Sequence, residues 1–173
     1  RDLLAAGLAC ALCTPTLATP QTSPSPRSLA SAVYDSHRDV VVLFGGETEA
    51  GASNDTWEWN GSTWTERSPS IAPPARHDSQ LAFDSQRGVT VLFGGAGDPT
   101  GETWEWDGTE WLERSPTNSP PWRRAHGLAF DSARGKTVLF GGSTNGIGGD
   151  RNDTWEWDGV DWVEVASPTT PSV

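Results

Sequence analysis

The chain has 173 residues, a formal net charge of −11, and 10 Trp against one Tyr and no Met. That length suits one domain or one section of a repeat array. The acidic balance speaks against nucleic-acid binding and against adsorption to anionic membranes, and otherwise serves solubility.

Residues 1–18 read as an export leader with a shortened start. Arg1 precedes an apolar run from Leu3 to Cys13, too short to span a bilayer, and Thr16-Leu17-Ala18 supplies a small-residue ending. Position 1 is not Met, which fits a leader that has lost its beginning. Cys10 and Cys13 form a C-x-x-C inside the leader, a weak redox or metal signal. Lipid attachment there is a secondary reading, against which Gly7 stands where such a motif wants Leu. No Cys follows, so packing rather than disulfides must hold the exported part together. Residues 19–23 read as a polar linker.

From Pro24 the chain repeats. Phe44-Gly45-Gly46 returns as Phe93-Gly94-Gly95 and Phe140-Gly141-Gly142, at intervals of 49 and 47 residues. The same shifts align Arg27, Arg76 and Arg123, and superimpose Val33-Tyr34-Asp35-Ser36 on Ala82-Phe83-Asp84-Ser85 and Ala129-Phe130-Asp131-Ser132. Each unit predicts a strand near 28–35, a short loop, a second strand near 39–44, the double glycine and a variable loop. Small residues after an apolar strand let another chain approach the backbone, so the glycine pairs are expected to be structural.

Each unit then carries a tryptophan hairpin. Its copies hold Trp57, Trp59 and Trp64, then Trp104, Trp106 and Trp111, then Trp155, Trp157 and Trp162, with Asn60-Gly61, Asp107-Gly108 or Asp158-Gly159 at the bend. That dipeptide predicts a two-residue type I′ turn, pairing Trp57 with Trp64 and Trp59 with Ser62. Period-2 alternation puts each trio on one face, as candidate core, and turns Glu58, Glu105 and Glu156 to a solvated one. Little beyond residue 20 favours helix. The expectation is an all-β protein.

The unit P-x-x-R, h-x-F/Y-D, L-F-G-G, D-T-W-E-W resembles the kelch repeat. The resemblance covers residues 24–168 and implies a β-propeller of four-stranded antiparallel blades at 24–69, 73–116 and 120–168, with 169–173 starting a further, truncated repeat. It also implies that these three kelch-like repeats belong to a larger ring of roughly six or seven blades. Further blades of a longer chain, or a second copy, would close it. Kelch propellers host both binding modules and enzymes, so the fold leaves the activity open.

No catalytic residue, cofactor or metal site is expected. His37, His77 and His126 fall at three different repeat positions and form no zinc spacing. Asp150-Arg151-Asn152-Asp153 has oxygen ligands for calcium but no full loop motif, and reads as turn chemistry. Copper chemistry of the kind found in some kelch oxidases needs a Cys that is absent after the leader.

What remains is recognition. The loops 47–53, 96–101 and 143–152 and the Pro-rich connectors 68–75 and 115–122 vary, and variation on one side of a repeat scaffold is where binding is usually placed. Arg27, Arg76 and Arg123 have two readings: ties within the blades, or, with Arg124, His126 and Trp122, a site for an anionic or sugar ligand at the channel mouth. The expected function is a non-catalytic extracellular binding module for protein or carbohydrate. The alternatives are a structural cell-surface spacer and a sugar-acting propeller enzyme whose catalytic residues lie elsewhere.

Overall fold

Short alternating runs punctuated by glycine build sheets rather than helices, and the computed structural model contains strands and no helix among residues 22–97, 101–144 and 149–166, which it describes. The leader at 1–18, the linker before residue 22 and the 169–173 stretch lie outside the described residues.

The first repeat contributes β1 (Arg27–Ser28), β2 (Ser31–Asp35), β3 (Val40–Phe44), β4 (Glu47–Thr48), β5 (Gly51–Ala52), β6 (Thr56–Trp59) and β7 (Trp64–Arg67). The second contributes β8 (Gln80–Asp84), β9 (Val89–Phe93), β10 (Thr103–Trp106) and β11 (Trp111–Arg114). The third contributes β12 (Gly127–Asp131), β13 (Lys136–Phe140), β14 (Thr154–Trp157) and β15 (Trp162–Val165). Three four-stranded antiparallel meanders result, β2-β3-β6-β7, β8-β9-β10-β11 and β12-β13-β14-β15. They are propeller blades: β8 lies between β2 and β12, so the first strand of each meander is the innermost. The variable loop 47–53 folds as a small hairpin that joins β1 in a separate three-stranded sheet.

The hairpin register differs from the expected one. Trp59 pairs with Trp64, Trp106 with Trp111 and Trp157 with Trp162, so each bend is a four-residue loop. The cause is the first side chain of the bend: Asn60 Oδ1 accepts the Ser62 and Thr63 amides, and Asp107 and Asp158 do the same for the residues after them. Only the glycine of each pair has a positive φ, 90° at Gly61, 100° at Gly108 and 97° at Gly159. The tryptophans of each trio still share one face, because Trp64 now stands opposite Trp59.

The core is two layers between blades. Val42 and Phe44 of β3 pack with Leu81, Leu92, Trp104, Trp106 and Trp111 of the second blade. Val91 and Phe93 of β9 repeat the arrangement with Leu139, Trp157 and Trp162 of the third. The Phe44 and Phe93 rings each meet a tryptophan edge-on, Trp111 and Trp162, at 5.2 Å between centroids.

The double glycines join blades. Gly46 N–H donates to the Arg76 carbonyl at 2.9 Å, and Gly95 N–H to the Arg123 carbonyl at 3.0 Å. Gly45 has φ 62°, and a Cβ there would lie 2.5 Å from the Arg76 carbonyl oxygen, so any other residue would push the next blade away.

Candidate functional site

A sheet face that packs on the neighbouring blade is buried whatever side chains it carries, the polar set of the alternation included. Glu58 and Glu105 are each 2% exposed, which corrects the solvated face expected of them. Glu58 accepts from Arg38 at 2.5 Å, from Arg67 Nε at 2.8 Å and from the Trp106 indole of the next blade at 3.0 Å. Glu105 repeats this with Arg87 at 2.6 Å, Arg114 Nε at 2.7 Å and the Trp157 indole at 2.9 Å. One position beyond, Trp111 donates to Thr56 and Trp162 to Thr103, at 2.9 and 2.8 Å. Arg38 and Arg87 are held in turn by Asp35 and Asp84 of the loop after the innermost strand, at 2.7 and 2.6 Å. The repeated Asp-Ser-x-Arg of that loop was the available signal for these cations.

The aligned arginines do not open the innermost strands; Arg76 and Arg123 lie four residues before β8 and β12. Their guanidinium groups are engaged inside the blade. Arg27 grips Asp55 with two bonds, 2.6 and 2.8 Å, and donates to the Gly45 carbonyl at 2.9 Å. Arg123 does the same with Asp153 and Gly141, and Arg76 reaches Glu102 at 2.8 Å and the Gly94 carbonyl at 3.2 Å. Arg76 and Arg123 are 1% and 0% exposed. This geometry is that of ties. Burial works to raise the Asp55 and Asp153 carboxyls, but hydrogen bonds from Arg27 and Arg123, with those of Trp57 and Trp155, carry both below the ordinary range. Asp153, part of the possible calcium turn, is thus taken by Arg123.

Of the companions proposed for those arginines, Trp122 and Arg124 are engaged as well, whereas neither buried ring nitrogen of His126 has a hydrogen-bond partner among the described residues. Trp122 donates its indole N–H to the Gly95 carbonyl at 2.7 Å, and Arg124 reaches Asp78 at 3.5 Å. His126 is buried with its ring edge-on to Phe93 at 5.6 Å; burial, and then the Arg123 charge, push its pKa down to about 3. The connectors are pinned to the hairpin turn of the following blade, Ser70 to Glu110 at 2.8 Å and Asn118 to Asp161 at 2.7 Å. Of the variable loops, 98–100 and 145–148 lie outside the described residues.

The open concavity lies elsewhere. A groove of about 450 Å³ runs along β2, β8 and β12. The aligned aromatics Tyr34, Phe83 and Phe130 line it, together with Ser36, Ser85 and Ser132 and small or aliphatic side chains; Phe83 is largely buried there and Tyr34 half exposed. Apart from the Tyr34 phenol, no lining side chain is an acid or a base. That phenol donates to Asp39 at 2.6 Å, and the bond, ahead of desolvation and the Asp39 charge, raises its pKa above the ordinary value. Its oxygen keeps lone pairs for a ligand. Sequence reasoning missed the groove because these residues sit in the least variable part of each repeat.

No known family model matches the chain, and no curated protein matches it with significance. Among the described residues no three His, Cys, Asp or Glu side chains cluster as a metal site would need, and no helix is long and apolar enough to cross a membrane.

Proposed function

We propose that the chain is a kelch-type propeller segment that works outside the cell as a non-catalytic binding module for neutral carbohydrate. The observation that supports this most is the uncharged groove along the innermost strands, whose lining includes Tyr34, Phe83 and Phe130 together with Ser36, Ser85 and Ser132. A sugar has the matching character: a C–H face that packs on an aromatic ring and hydroxyls that exchange hydrogen bonds with Ser and Tyr. An anionic ligand fits less well, since the arginines are already paired and the net charge is −11. The export leader read at 1–18 supports an extracellular setting.

The test is a glycan array probed with the chain and with Tyr34→Ala. Tyr34 is half exposed, so its removal leaves the core intact. Binding to neutral oligosaccharides that falls at least about tenfold in the variant, or roughly 1.4 kcal/mol, supports the reading. No glycan binding, or binding indifferent to Tyr34, refutes it.

A further inference from the structure

Both junctions between blades lie inside the chain, and they differ in chemistry at one repeated position. Ala30, Ser79 and His126 each stand three residues after the aligned arginine, against the second glycine of their own blade's pair. A Cβ on Gly46, Gly95 or Gly142 would meet their Cβ atoms at 2.8, 3.0 and 2.7 Å. At the first junction the position is polar and satisfied. The Ser31 hydroxyl of the first blade donates to the Ser79 carbonyl and lies 3.3 Å from the Ser79 hydroxyl.

At the second junction the same position holds an imidazole. His126 is 4% exposed, its ring meets Phe93 of the second blade edge-on, and a Cβ on Gly94 would fall 3.0 Å from its Cε1. Neither ring nitrogen has a hydrogen-bond partner among the described residues. Phe93, Gly94 and Gly142, which pack on the ring, carry no titratable group, and the one charge that acts on it is the Arg123 guanidinium, itself gripped by Asp153. An imidazolium there would bring two N–H donors into a wall where neither has a partner, beside a like charge.

The histidines of the first junction are placed otherwise. His77 lies 3.8 Å from Glu47 of the first blade and 3.9 Å from Asp78, so an added positive charge there meets opposite charge. His37 sits edge-on to Phe83 but is open to solvent. Acid therefore acts on the two junctions unequally.

We infer that His126 is an acid-sensitive latch, which lets the third blade close on the second while its ring is neutral and, once protonated, releases that junction while the first stays shut. Opening by junctions is natural in a repeat array, because each blade touches only its neighbours. The sign follows from the proton count: the closed junction holds His126 neutral down to about pH 3, whereas the open one exposes it to a proton at its ordinary 6.5, so opening gains as pH falls between them. The groove along β2, β8 and β12 crosses this junction, and the same step divides its lining between Phe83 and Phe130. The inference rests on the junction alone and stands whether or not the groove takes carbohydrate.

Hydrogen exchange followed by NMR at about pH 7 and about pH 5 on the 173-residue chain reads each junction through matched amides. Gly46 and Asp78 donate across the first, to the Arg76 and Leu29 carbonyls at 2.9 Å each, and Gly95 and Ala125 across the second, to the Arg123 and Asp78 carbonyls at 3.0 and 3.2 Å. Corrected for intrinsic exchange, protection at Gly95 and Ala125 should fall roughly 25-fold from the higher pH to the lower. Gly46 and Asp78 should keep theirs. His126→Ser, which sets at this place the residue type found at position 79, should abolish the loss. Equal losses at all four amides, or none at Gly95 and Ala125, overturn the proposal, and both are read on the unaltered chain even where the variant fails to fold. A folded His126→Ser protein that keeps the full loss overturns it as well.

Discussion

The indole of Trp106 donates to Glu58 across the gap between the first two blades at 3.0 Å, and Trp157 repeats the bond to Glu105 at 2.9 Å. Each glutamate also takes two arginines from its own blade, so one carboxylate holds the loop after the innermost strand, the outer strand and the neighbouring blade. The difference between buried and half-covered copies of this node is measurable. Glu105→Ala leaves the Trp157 donor unmet and should cost about 2–3 kcal/mol. Glu156→Ala, at the uncovered face, should cost under about 1 kcal/mol in dilute protein. Denaturant unfolding of the two variants makes the comparison.

Arg123→Gln and Arg76→Gln bear on the tie. The guanidinium of Arg123 is fully buried against Asp153 and Gly141, and its own carbonyl receives Gly95 of the blade before. Removing it takes the two-bond partner from the Asp153 carboxylate, while the backbone bond to Gly95 stays, an expected loss of about 3 kcal/mol in thermal or chemical unfolding. Folded Arg76→Gln protein should bind carbohydrate as the wild type does, because the guanidinium does not line the groove.

Gly94→Ala and Gly61→Ala separate backbone strain from blade contact. Both glycines have positive φ, 67° and 90°, so each substitution should cost about 1 kcal/mol or more. At Gly94 the added methyl also overlaps the Arg123 carbonyl oxygen, whereas at Gly61 it meets open space. Gly94→Ala should be the less stable by at least about 1 kcal/mol, read as a difference in denaturation midpoint.

Stability should begin to fall as the pH drops through the ordinary histidine value. His126 is neutral in the folded chain down to about pH 3, while in the unfolded chain it takes a proton near its ordinary 6.5. Between those values the unfolded state holds the extra proton, so stability rises with pH, by up to about 1.4 kcal/mol per pH unit. Asp55 and Asp153, whose folded values lie below the usual 3.8, contribute stability above that value that is lost only in stronger acid. His126→Leu should therefore flatten the pH dependence between about 4.5 and 6.5 and leave the steeper acid limb. Urea unfolding at a series of pH values reads both parts.

The blades were legible because alternation and turn residues are local. Phe44, Phe93 and Phe140 end second strands where expected, and each tryptophan trio shares a face. The hairpin register was not legible, since Asn-Gly fits both a two-residue bend and the observed loop; the choice rests on the Asn60 side chain capping two amides. Glu58 was misplaced for a different reason. Period 2 tells which residues share a face, and in a stacked blade the second face is covered too. The arginine partners escaped because Asp55, Glu102 and Asp153 lie beyond loops of unequal length, 28, 26 and 30 residues from their arginines. The groove was overlooked where Ser36, Ser85 and Ser132 were merely repetitive; only adjacency of the innermost strands makes a surface of them.

The central claim is that ligand lies along the innermost strands and not on the double-glycine side. An NMR titration of the isotope-labelled chain with a neutral oligosaccharide tests it most directly. The account predicts shift changes centred on Tyr34, Phe83, Ser85 and Phe130. Changes centred on residues 47–53 and 149–152, with the groove silent, would contradict it.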